Sequence, residues 1–261
     1  MHVLVFDSGV GGLSVLEQLQ QRNPTMQYSY LFDNLYFPYG ELDDQQLITR
    51  VVELLTKAVN KFNPDLVVVA CNSASTLSLP SLRETLSIPI VGVVPAIKSA
   101  ANKSITRHFG VLATPGTVER SYTEQLIVDF AKDCRVELLG STLLVQLAEQ
   151  KLAGESIALE DVKQALASWL SFDDLDCVVL GCTHFPLLKD EIQQVLGERV
   201  CLVDSGAAIA NRVHSLLSTN EALNPSQKKA EAHAYCTMHP ANSSLLKQLQ
   251  AYQLSSLQLF T

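Results

Sequence analysis

Short apolar runs alternate along the chain with longer segments in which apolar residues recur every three or four positions. The short runs are rich in β-branched residues and end in Gly, Asp, Asn, Ser or Thr, as buried strands do, and the longer segments have helical spacing. This alternation is typical of a parallel α/β fold. It predicts strands at 2–6, 28–33, 65–70, 89–94, 108–113, 136–140, 176–181 and 200–204, and helices at 12–21, 44–62, 74–86, 117–132, 143–152, 159–171 and 187–196.

The strands form two series of four that are related by an internal repeat. Residues 65–72 align with residues 176–183 at an offset of 176 − 65 = 111, and the strands that follow, 88–91 and 199–202, keep that offset. Such self-similarity indicates two copies of one structural unit. We therefore predict two similar α/β domains, each with a central, mainly parallel sheet flanked by helices. An approximate two-fold relates them, and the active site lies in the cleft between them.

The predicted domain boundaries place residues 1–95 and 207–261 in the first domain and residues 96–206 in the second. The tail contains a helix at 206–217, a polar loop from Asn220 to Gln227, a short strand at 234–238 and a last helix at 243–250. About 55 residues with so few strands are too small to bury a core of their own, so we expect the tail to pack on the first domain.

Composition and charge narrow the classes of function. The chain has 261 residues, 47% of them hydrophobic and 18% charged, which excludes a disordered or low-complexity protein. Its 19 basic and 27 acidic residues leave a net charge of −8, so nucleic acid is not an expected partner. Apolar stretches of about six residues fall far short of a membrane span. We also find no basic leader, and we expect a cytoplasmic protein whose six cysteines are reduced.

Two cysteines stand at the ends of equivalent strands, where parallel sheets bind ligands. Cys71 and Cys182 occupy the same position in the repeat, and each is followed by polar residues. Two thiols that approach one carbon from opposite sides could invert a stereocentre, one removing a proton and the other delivering one. Free cysteines are most often buried structural residues, and we assign this role to the other four, Cys134, Cys177, Cys201 and Cys236.

Metal and nucleotide sites are weaker interpretations of the same region. Cys177 and Cys182 stand at opposite ends of one strand, roughly 16 Å apart at about 3.3 Å per residue, so one ion cannot bind both. The glycine-rich turn at 9–12 resembles part of a dinucleotide fingerprint, but Ser14 replaces its third glycine and Asp7 would repel a pyrophosphate. This turn could instead bind a small carboxylate through its amides.

Titratable neighbours are available for both thiols. Asp7 ends the first strand and is a candidate partner of Cys71, although an acid there is often only a helix cap. His184 lies two residues after Cys182, where it could hold or take up the thiol proton. Glu149 has the position of a solvated surface residue in its helix pattern.

These residues belong to motifs spread along nearly the whole chain: Phe6-Asp7-Ser8-Gly9-Val10-Gly11-Gly12-Leu13-Ser14, Pro38-Tyr39-Gly40, Cys71-Asn72-Ser73-Ala74-Ser75, Gly92-Val93-Val94-Pro95-Ala96, Ala113-Thr114 with Thr117, and Gly181-Cys182-Thr183-His184-Phe185-Pro186. In these motifs the sequence resembles the glutamate racemases, the cofactor-independent branch of the aspartate/glutamate racemase superfamily. The resemblance implies two α/β domains around an interdomain site, with the tail returning to the first domain.

The resemblance also implies an activity. Members interconvert L- and D-glutamate without pyridoxal phosphate or metal and supply D-glutamate for peptidoglycan, and a homodimer is expected. Ser141, Thr142 and Gln146 stand where many members have Cys-Pro and a second proline. This segment resembles the enterobacterial-type branch, in which a peptidoglycan precursor activates some members.

By the same resemblance, Cys71 acts on D-glutamate with help from Asp7, and Cys182 acts on L-glutamate with help from His184 and, behind it, Glu149. The implied substrate contacts are Asp7, Ser8, Pro38, Tyr39, Gly40, Asn72, Ser73, Thr114, Thr117, Thr183 and His184. Amides at helix N-termini after Ser8, Asn72 and Thr183 could hold the carboxylates.

Three other functions remain open at the level of the sequence. The first is racemisation of another small acid such as aspartate. The second is covalent catalysis by one thiol, as in an amidase or transferase with His184 as base. The third is a binding module without catalysis. Comparison of substrates separates the first from glutamate racemisation. Replacing each cysteine separates the other two, because only racemisation by two bases needs both thiols.

Overall fold

The computed structural model describes residues 1–218, 232–240 and 245–261. Its strands are β1 (His2–Asp7), β2 (Gln27–Phe32), β3 (Leu66–Val69), β4 (Ile90–Gly92), β5 (His108–Ala113), β6 (Arg135–Gly140), β7 (Cys177–Leu180), β8 (Cys201–Val203), β9 (Ala232–Cys236) and β10 (Leu254–Leu259). The predicted loop from Asn220 to Gln227 lies outside the described residues.

The helices between the strands are α1 (Leu13–Arg22), α2 (Asp44–Phe62), α3 (Asn72–Thr85), α4 (Ile97–Lys103), α5 (Pro115–Glu119), α6 (Ser121–Phe130), α7 (Thr142–Leu152), α8 (Leu159–Ala165), α9 (Lys189–Leu196), α10 (Gly206–Ser218) and α11 (Leu245–Ala251). Short 3-10 helices cover Tyr39–Glu41, Ala167–Trp169 and Phe185–Leu188. No helix in these ranges is long and apolar enough to cross a membrane.

The chain divides into two compact units, Met1–Val93 with Gly206–Thr261, and Val94–Ser205. The first unit contains a six-stranded sheet in the order β10-β9-β2-β1-β3-β4, and the second a four-stranded sheet in the order β6-β5-β7-β8. Neighbouring strands pair in parallel in both sheets. The predicted α/β class with two mainly parallel sheets flanked by helices is confirmed.

The internal repeat is visible in the strand order. In the first sheet β3 pairs with β1 and β4, and in the second sheet β7 pairs with β5 and β8. The central strands β3 and β7 are therefore equivalent, and the cysteine that follows each one lies at the carboxyl edge of its sheet. Both strands are fully buried, which explains their continuous apolar sequences.

The tail joins the first sheet. Strand β9 pairs with β2, and β10 pairs with β9 at the sheet edge. The pattern analysis missed β10, because its register shifts between Leu254 and Leu257 and so its apolar residues do not alternate regularly.

Helix boundaries in the second unit differ from the prediction. The single helix at 117–132 is wrong: Arg120 has an extended backbone and separates α5 from α6. The hydroxyl of Thr123 donates to the carbonyl of Thr117 across this break. The helix predicted at 159–171 ends at Ala165, and the short helix α4 was not predicted. Both α4 and α8 have only seven residues, too few for a clear helical period.

Candidate active site

Cys71 lies two residues after the end of β3 and immediately before the first turn of α3. Its side chain is buried, as are those of Asn72 and Ser73 in that turn. The Cys71 backbone is extended, and its carbonyl accepts a hydrogen bond from the amide of Ser75. The Ser75 hydroxyl donates to the carbonyl of Val69 and accepts from the amide of Val93, which joins the start of α3 to the ends of β3 and β4.

Ser8 connects Cys71 with the carboxylate at the end of β1. Its hydroxyl oxygen lies 3.7 Å from the Cys71 Sγ and 3.4 Å from Oδ1 of Asp7. Asp7 is fully buried, and the same oxygen accepts the amide of Gly9 at 2.9 Å. The Ser8 hydroxyl therefore lies between Asp7 and Cys71, and the role of Asp7 as a partner of Cys71 stays a prediction.

Close packing explains the glycine-rich turn after β1. A Cβ on Gly12 would lie 2.8 Å from the Cβ of Asp7 and 2.9 Å from the hydroxyl of Tyr30. That hydroxyl donates to the carbonyl of Gly9 at 2.7 Å. The turn therefore fits closely around the Asp7 side chain, and α1 begins only at Leu13.

Sequence reasoning missed a charged network on the Cys71 side. Asp33, which follows β2, is fully buried and forms a two-point ion pair with Arg50 of α2, with both N–O distances 2.8 Å. It also accepts the hydroxyl of Tyr39 at 2.6 Å. Burial is the main cause that holds the pKa of Tyr39 well above its usual value, and the negative charge of Asp33 is the second. Pro38 and Gly40, on either side of Tyr39, are partly buried.

Cys182 has a different neighbour in the second unit. Its Sγ lies 3.7 Å from Nδ1 of His184, and Nε2 of that imidazole lies 2.7 Å from a carboxylate oxygen of Glu149. Cys182 and His184 are buried, and the Glu149 side chain is one-third exposed. Its place on α7 alone indicates a surface residue, but the fold turns Glu149 onto the imidazole.

The surroundings of the His184 imidazole favour its protonated form. Burial acts to lower its pKa, but hydrogen bonds and charge interactions with Cys182 and Glu149 outweigh burial, and the pKa lies well above the usual value. An imidazolium beside a thiol stabilises the thiolate.

Two sets of contacts hold the segments that carry Cys182, His184 and Glu149. The hydroxyl of Ser141 caps α7 by accepting the amide of Leu144 at 3.2 Å. At the other end of α7, Nζ of Lys151 binds the carbonyl of Leu187 at 2.9 Å and the carboxylate of Glu191 at 2.7 Å. Lys151 therefore ties the helix of Glu149 to the 3-10 helix that follows His184, a role that no sequence signal indicated.

The segment after Cys182 differs from the expected α-helix N-terminus. Thr183 is buried, and residues 185–188 form a 3-10 helix before α9 begins at Lys189. Pro186 stands in the first turn of that 3-10 helix, where its missing N–H costs no hydrogen bond. The helix N-terminus expected after Thr183 is thus that of a 3-10 helix, whereas an α-helix begins at Asn72.

Thr114 and Thr117 lie after β5 in the same unit as Cys182. Their hydroxyl oxygens are 2.9 Å apart, and Thr117 is fully buried while Thr114 is half-buried. The first unit therefore contains Asp7, Ser8, Pro38, Tyr39, Gly40, Cys71, Asn72 and Ser73, and the second contains Thr114, Thr117, Glu149, Cys182, Thr183 and His184. Among the described residues no group of three or more His, Cys, Asp or Glu is arranged to hold a metal ion.

Comparison with known proteins agrees with this geometry. The family model of the Asp/Glu/Hydantoin racemases matches residues 12–213, which include both cysteines. The chain belongs to the Asp/Glu/Hydantoin racemase family. Within that family, the glutamate racemase of Shewanella woodyi is 54% identical over 88% of this chain and 86% of its own length. That of Serratia proteamaculans is 51% identical over 98% of this chain and 89% of its own length.

A solved structure in the same family extends the match to the fold. The crystal structure of the Escherichia coli glutamate racemase in complex with L-glutamate and the activator UDP-MurNAc-Ala has a TM-score of 0.93 and 48% identity. The match covers 100% of this chain and 98% of that one. The resemblance drawn from the motifs is therefore confirmed.

Proposed function

We propose that this protein interconverts L- and D-glutamate with Cys71 and Cys182 as the two acid/base groups. The observation that carries the proposal is the equivalent position of the two buried thiols, each at the carboxyl end of a central strand and each beside a group that can hold a proton. Relatives about 50% identical over most of the chain are glutamate racemases, which supports glutamate as the substrate. We propose that the D-glutamate is used for peptidoglycan.

In the direction from L to D, the Cys182 thiolate removes the α-proton. We propose that a protonated His184 beside it stabilises the thiolate before this step, and that Glu149 favours the protonated imidazole. The electron pair left on the α-carbon is shared with the adjacent carboxylate. Donors placed on that carboxylate lower the barrier, and we propose that the amides and polar side chains of Asn72, Ser73 and Thr183 provide them.

Cys71 then delivers its thiol proton to the opposite face of the same carbon. Ser8 lies between this thiol and Asp7. Its hydroxyl can donate a hydrogen bond to the Asp7 carboxylate and accept one from the Cys71 thiol, so the carboxylate influences the thiol through the hydroxyl. In the direction from D to L the roles are reversed and Cys71 is the base. The mechanism requires both thiols to reach one bound glutamate, as the predicted interdomain cleft would allow. We propose that Pro38, Tyr39, Gly40, Thr114 and Thr117 also line that site.

The first test is incubation of the purified protein with L-glutamate in D2O buffer that contains EDTA and no added cofactor. We expect D-glutamate with one deuterium at Cα in essentially every product molecule, because a separate base supplies the new proton from solvent. Substantial protium in the product would contradict the two-base mechanism. L-Aspartate in a parallel reaction tests the alternative substrate, and we expect no conversion.

We further propose that a UDP-linked peptidoglycan precursor activates the enzyme. The E. coli relative was crystallised with UDP-MurNAc-Ala, described as its activator. In this chain a cavity of about 500 Å3 in the first unit lies beside β4 and α10, and Arg83 and Arg212 line it. Two guanidinium groups suit a diphosphate. We expect Arg83→Gln with Arg212→Gln to abolish activation by the precursor, and full activation of the double variant would contradict this site.

The homodimer and the cytoplasmic location expected from the sequence stay predictions. Light scattering of the purified protein with and without glutamate tests the first.

A further inference from the structure

A buried ion pair lies on the Cys71 side and has no role in the mechanism above. Nε and Nη2 of Arg50 each approach a different carboxylate oxygen of Asp33 at 2.8 Å. Asp33 is fully buried, and the Arg50 side chain is about one-fifth exposed. Its hydrogen bonds with Asp33 raise the pKa of Arg50, so the guanidinium stays charged. A buried carboxylate is stable only with such partners.

The same carboxylate orients Tyr39. The tyrosine hydroxyl donates to Oδ2 of Asp33 at 2.6 Å, and the hydroxyl of Thr237, which follows β9, donates to Oδ1 at 2.6 Å. Because a phenol has a single proton, Tyr39 can only accept a hydrogen bond from a substrate while it holds this contact. Arg50 binds both carboxylate oxygens, so it fixes the angle at which Asp33 receives Tyr39.

Tyr39 lies in the same buried cluster as Cys71. A negative charge on the Cys71 sulfur acts to raise the pKa of the Tyr39 hydroxyl. The Tyr39 ring also packs 6.2 Å from the ring of Phe6, between centroids, on the strand that leads to Asp7. Hydrogen bonds thus join Arg50 through Asp33 to Tyr39, which shares a buried cluster with Cys71.

We propose that Arg50 is a positioning residue for proton transfer by Cys71. It acts through Asp33 and Tyr39 and does not touch the substrate. The inference rests on the proposed racemase function. It predicts that loss of the Arg50 contact slows proton transfer at Cys71 and leaves proton transfer at Cys182 unchanged.

The test uses Arg50→Lys, which keeps the charge but loses the two-point geometry, and Tyr39→Phe, which removes the hydroxyl and leaves the ion pair. We expect each variant to lower kcat/KM about 5- to 20-fold, the effect of one lost buried hydrogen bond. Arg107→Lys is the matched control, because Arg107 forms an ion pair with Asp133 in which both side chains are largely exposed. We expect it to equal wild type.

Primary isotope effects separate positioning from damage to the fold. With glutamate deuterated at Cα, the effect on kcat/KM should rise for the D-enantiomer, whose proton Cys71 removes, and fall for the L-enantiomer. A variant that is only partly folded loses rate but leaves both isotope effects at their wild-type values. Equal isotope effects in Arg50→Lys and wild type would overturn the proposal, as would a rise for the L-enantiomer alone.

A double-mutant cycle gives a second readout. Since Arg50 acts through Tyr39, the loss in Arg50→Lys with Tyr39→Phe should be smaller than the product of the single losses. Multiplicative losses would show that the two residues act independently and would overturn the proposal. Absence of racemisation in the wild-type protein would instead refute the proposed function, so the two failures are distinguishable.

Discussion

The two thiols occupy equivalent places in the two sheets but have different partners. Cys71 faces the hydroxyl of Ser8, which carries no charge, whereas Cys182 faces the His184 imidazole, whose pKa is raised, against the effect of burial, by its contacts with Cys182 and Glu149. The two copies of the repeat therefore share the backbone position of the cysteine but not the side chain that hydrogen-bonds to its sulfur. In the Cys182 half, the group beside the thiol is an imidazole that can gain or lose a proton. In the Cys71 half, the thiol contacts a hydroxyl, and behind that hydroxyl lies a buried carboxylate.

The largest expected effect comes from replacing either cysteine, which tests whether racemisation needs both thiols. We expect Cys71→Ser and Cys182→Ser each to lower racemisation by about 1000-fold or more, because a serine hydroxyl is a far weaker acid and base at neutral pH. Chiral analysis of the product from each enantiomer measures the loss. Cys201→Ser is the control, because Cys201 is exposed on the edge strand β8, and we expect its activity to be unchanged.

One fully active serine variant would break the comparison. It would show that a single thiol is sufficient and would favour covalent catalysis over two-base racemisation.

The second prediction concerns Glu149 and sharpens the difference between the halves. Glu149→Gln removes the charge that keeps His184 protonated, so we expect kcat/KM to fall about 10- to 100-fold. The isotope effect should rise for deuterated L-glutamate, the reverse of the pattern expected for Arg50→Lys. Glu160→Gln is the matched control, since the Glu160 side chain is exposed and lies beside Lys163, away from the imidazole. A Glu149→Gln variant with wild-type rates would remove Glu149 from the mechanism.

The same comparison shows what the sequence could predict. Cys71 and Cys182 follow from strand ends and from the internal repeat, both of which are visible in the sequence, and the same pattern predicts where the first eight strands lie along the chain. Arg50 has no such signal, because it lies within α2, 17 residues from Asp33, and only tertiary packing brings the two together. The same is true of Lys151, whose partners Leu187 and Glu191 are 36 and 40 residues away.

Irregular backbone accounts for the missed boundaries. Arg120 has an extended backbone and ends α5, although no proline or glycine at that point of the sequence signals the break. The Thr123 hydroxyl donates to the carbonyl of Thr117, which would otherwise accept a backbone amide in a continuous helix. The 3-10 helix after His184 was hidden within an apolar sequence that fits an α-helix equally well.

The third prediction concerns stability on the Cys71 side. Gly12→Ala places a Cβ within 3 Å of Asp7 and Tyr30, and neither the buried carboxylate nor the hydroxyl bonded to Gly9 can move without losing a hydrogen bond. We expect the free energy of unfolding to fall by about 1–3 kcal/mol, measured by urea denaturation. Gly197→Ala is the comparison, because its Cβ meets nothing within 4 Å and only its positive φ of 82° opposes the change. Its cost should be of order 1–3 kcal/mol and should come from backbone strain alone, without a steric clash.

A Gly12→Ala variant as stable as wild type would show that the turn after β1 can relax. Asp7 would then not be held as closely as its contacts indicate.

The smallest expected effect is a pH dependence of stability that only the Cys182 half should produce. The pKa of His184 is higher in the folded protein than the value of about 6.5 expected when unfolded, so the folded state binds this proton more tightly. Its contribution to the free energy of unfolding is therefore complete below about pH 6.5 and is lost as the pH rises through the folded-state pKa.

Urea denaturation at a series of pH values from 6 upward measures this slope, and Glu149→Gln should reduce it because the imidazole loses one of the two partners that raise its pKa. Arg50→Lys should leave the slope unchanged, since a lysine also stays charged across this range. An equal reduction in both variants would mean that the slope does not come from His184, and the contrast between a titrating half and a fixed half would fail.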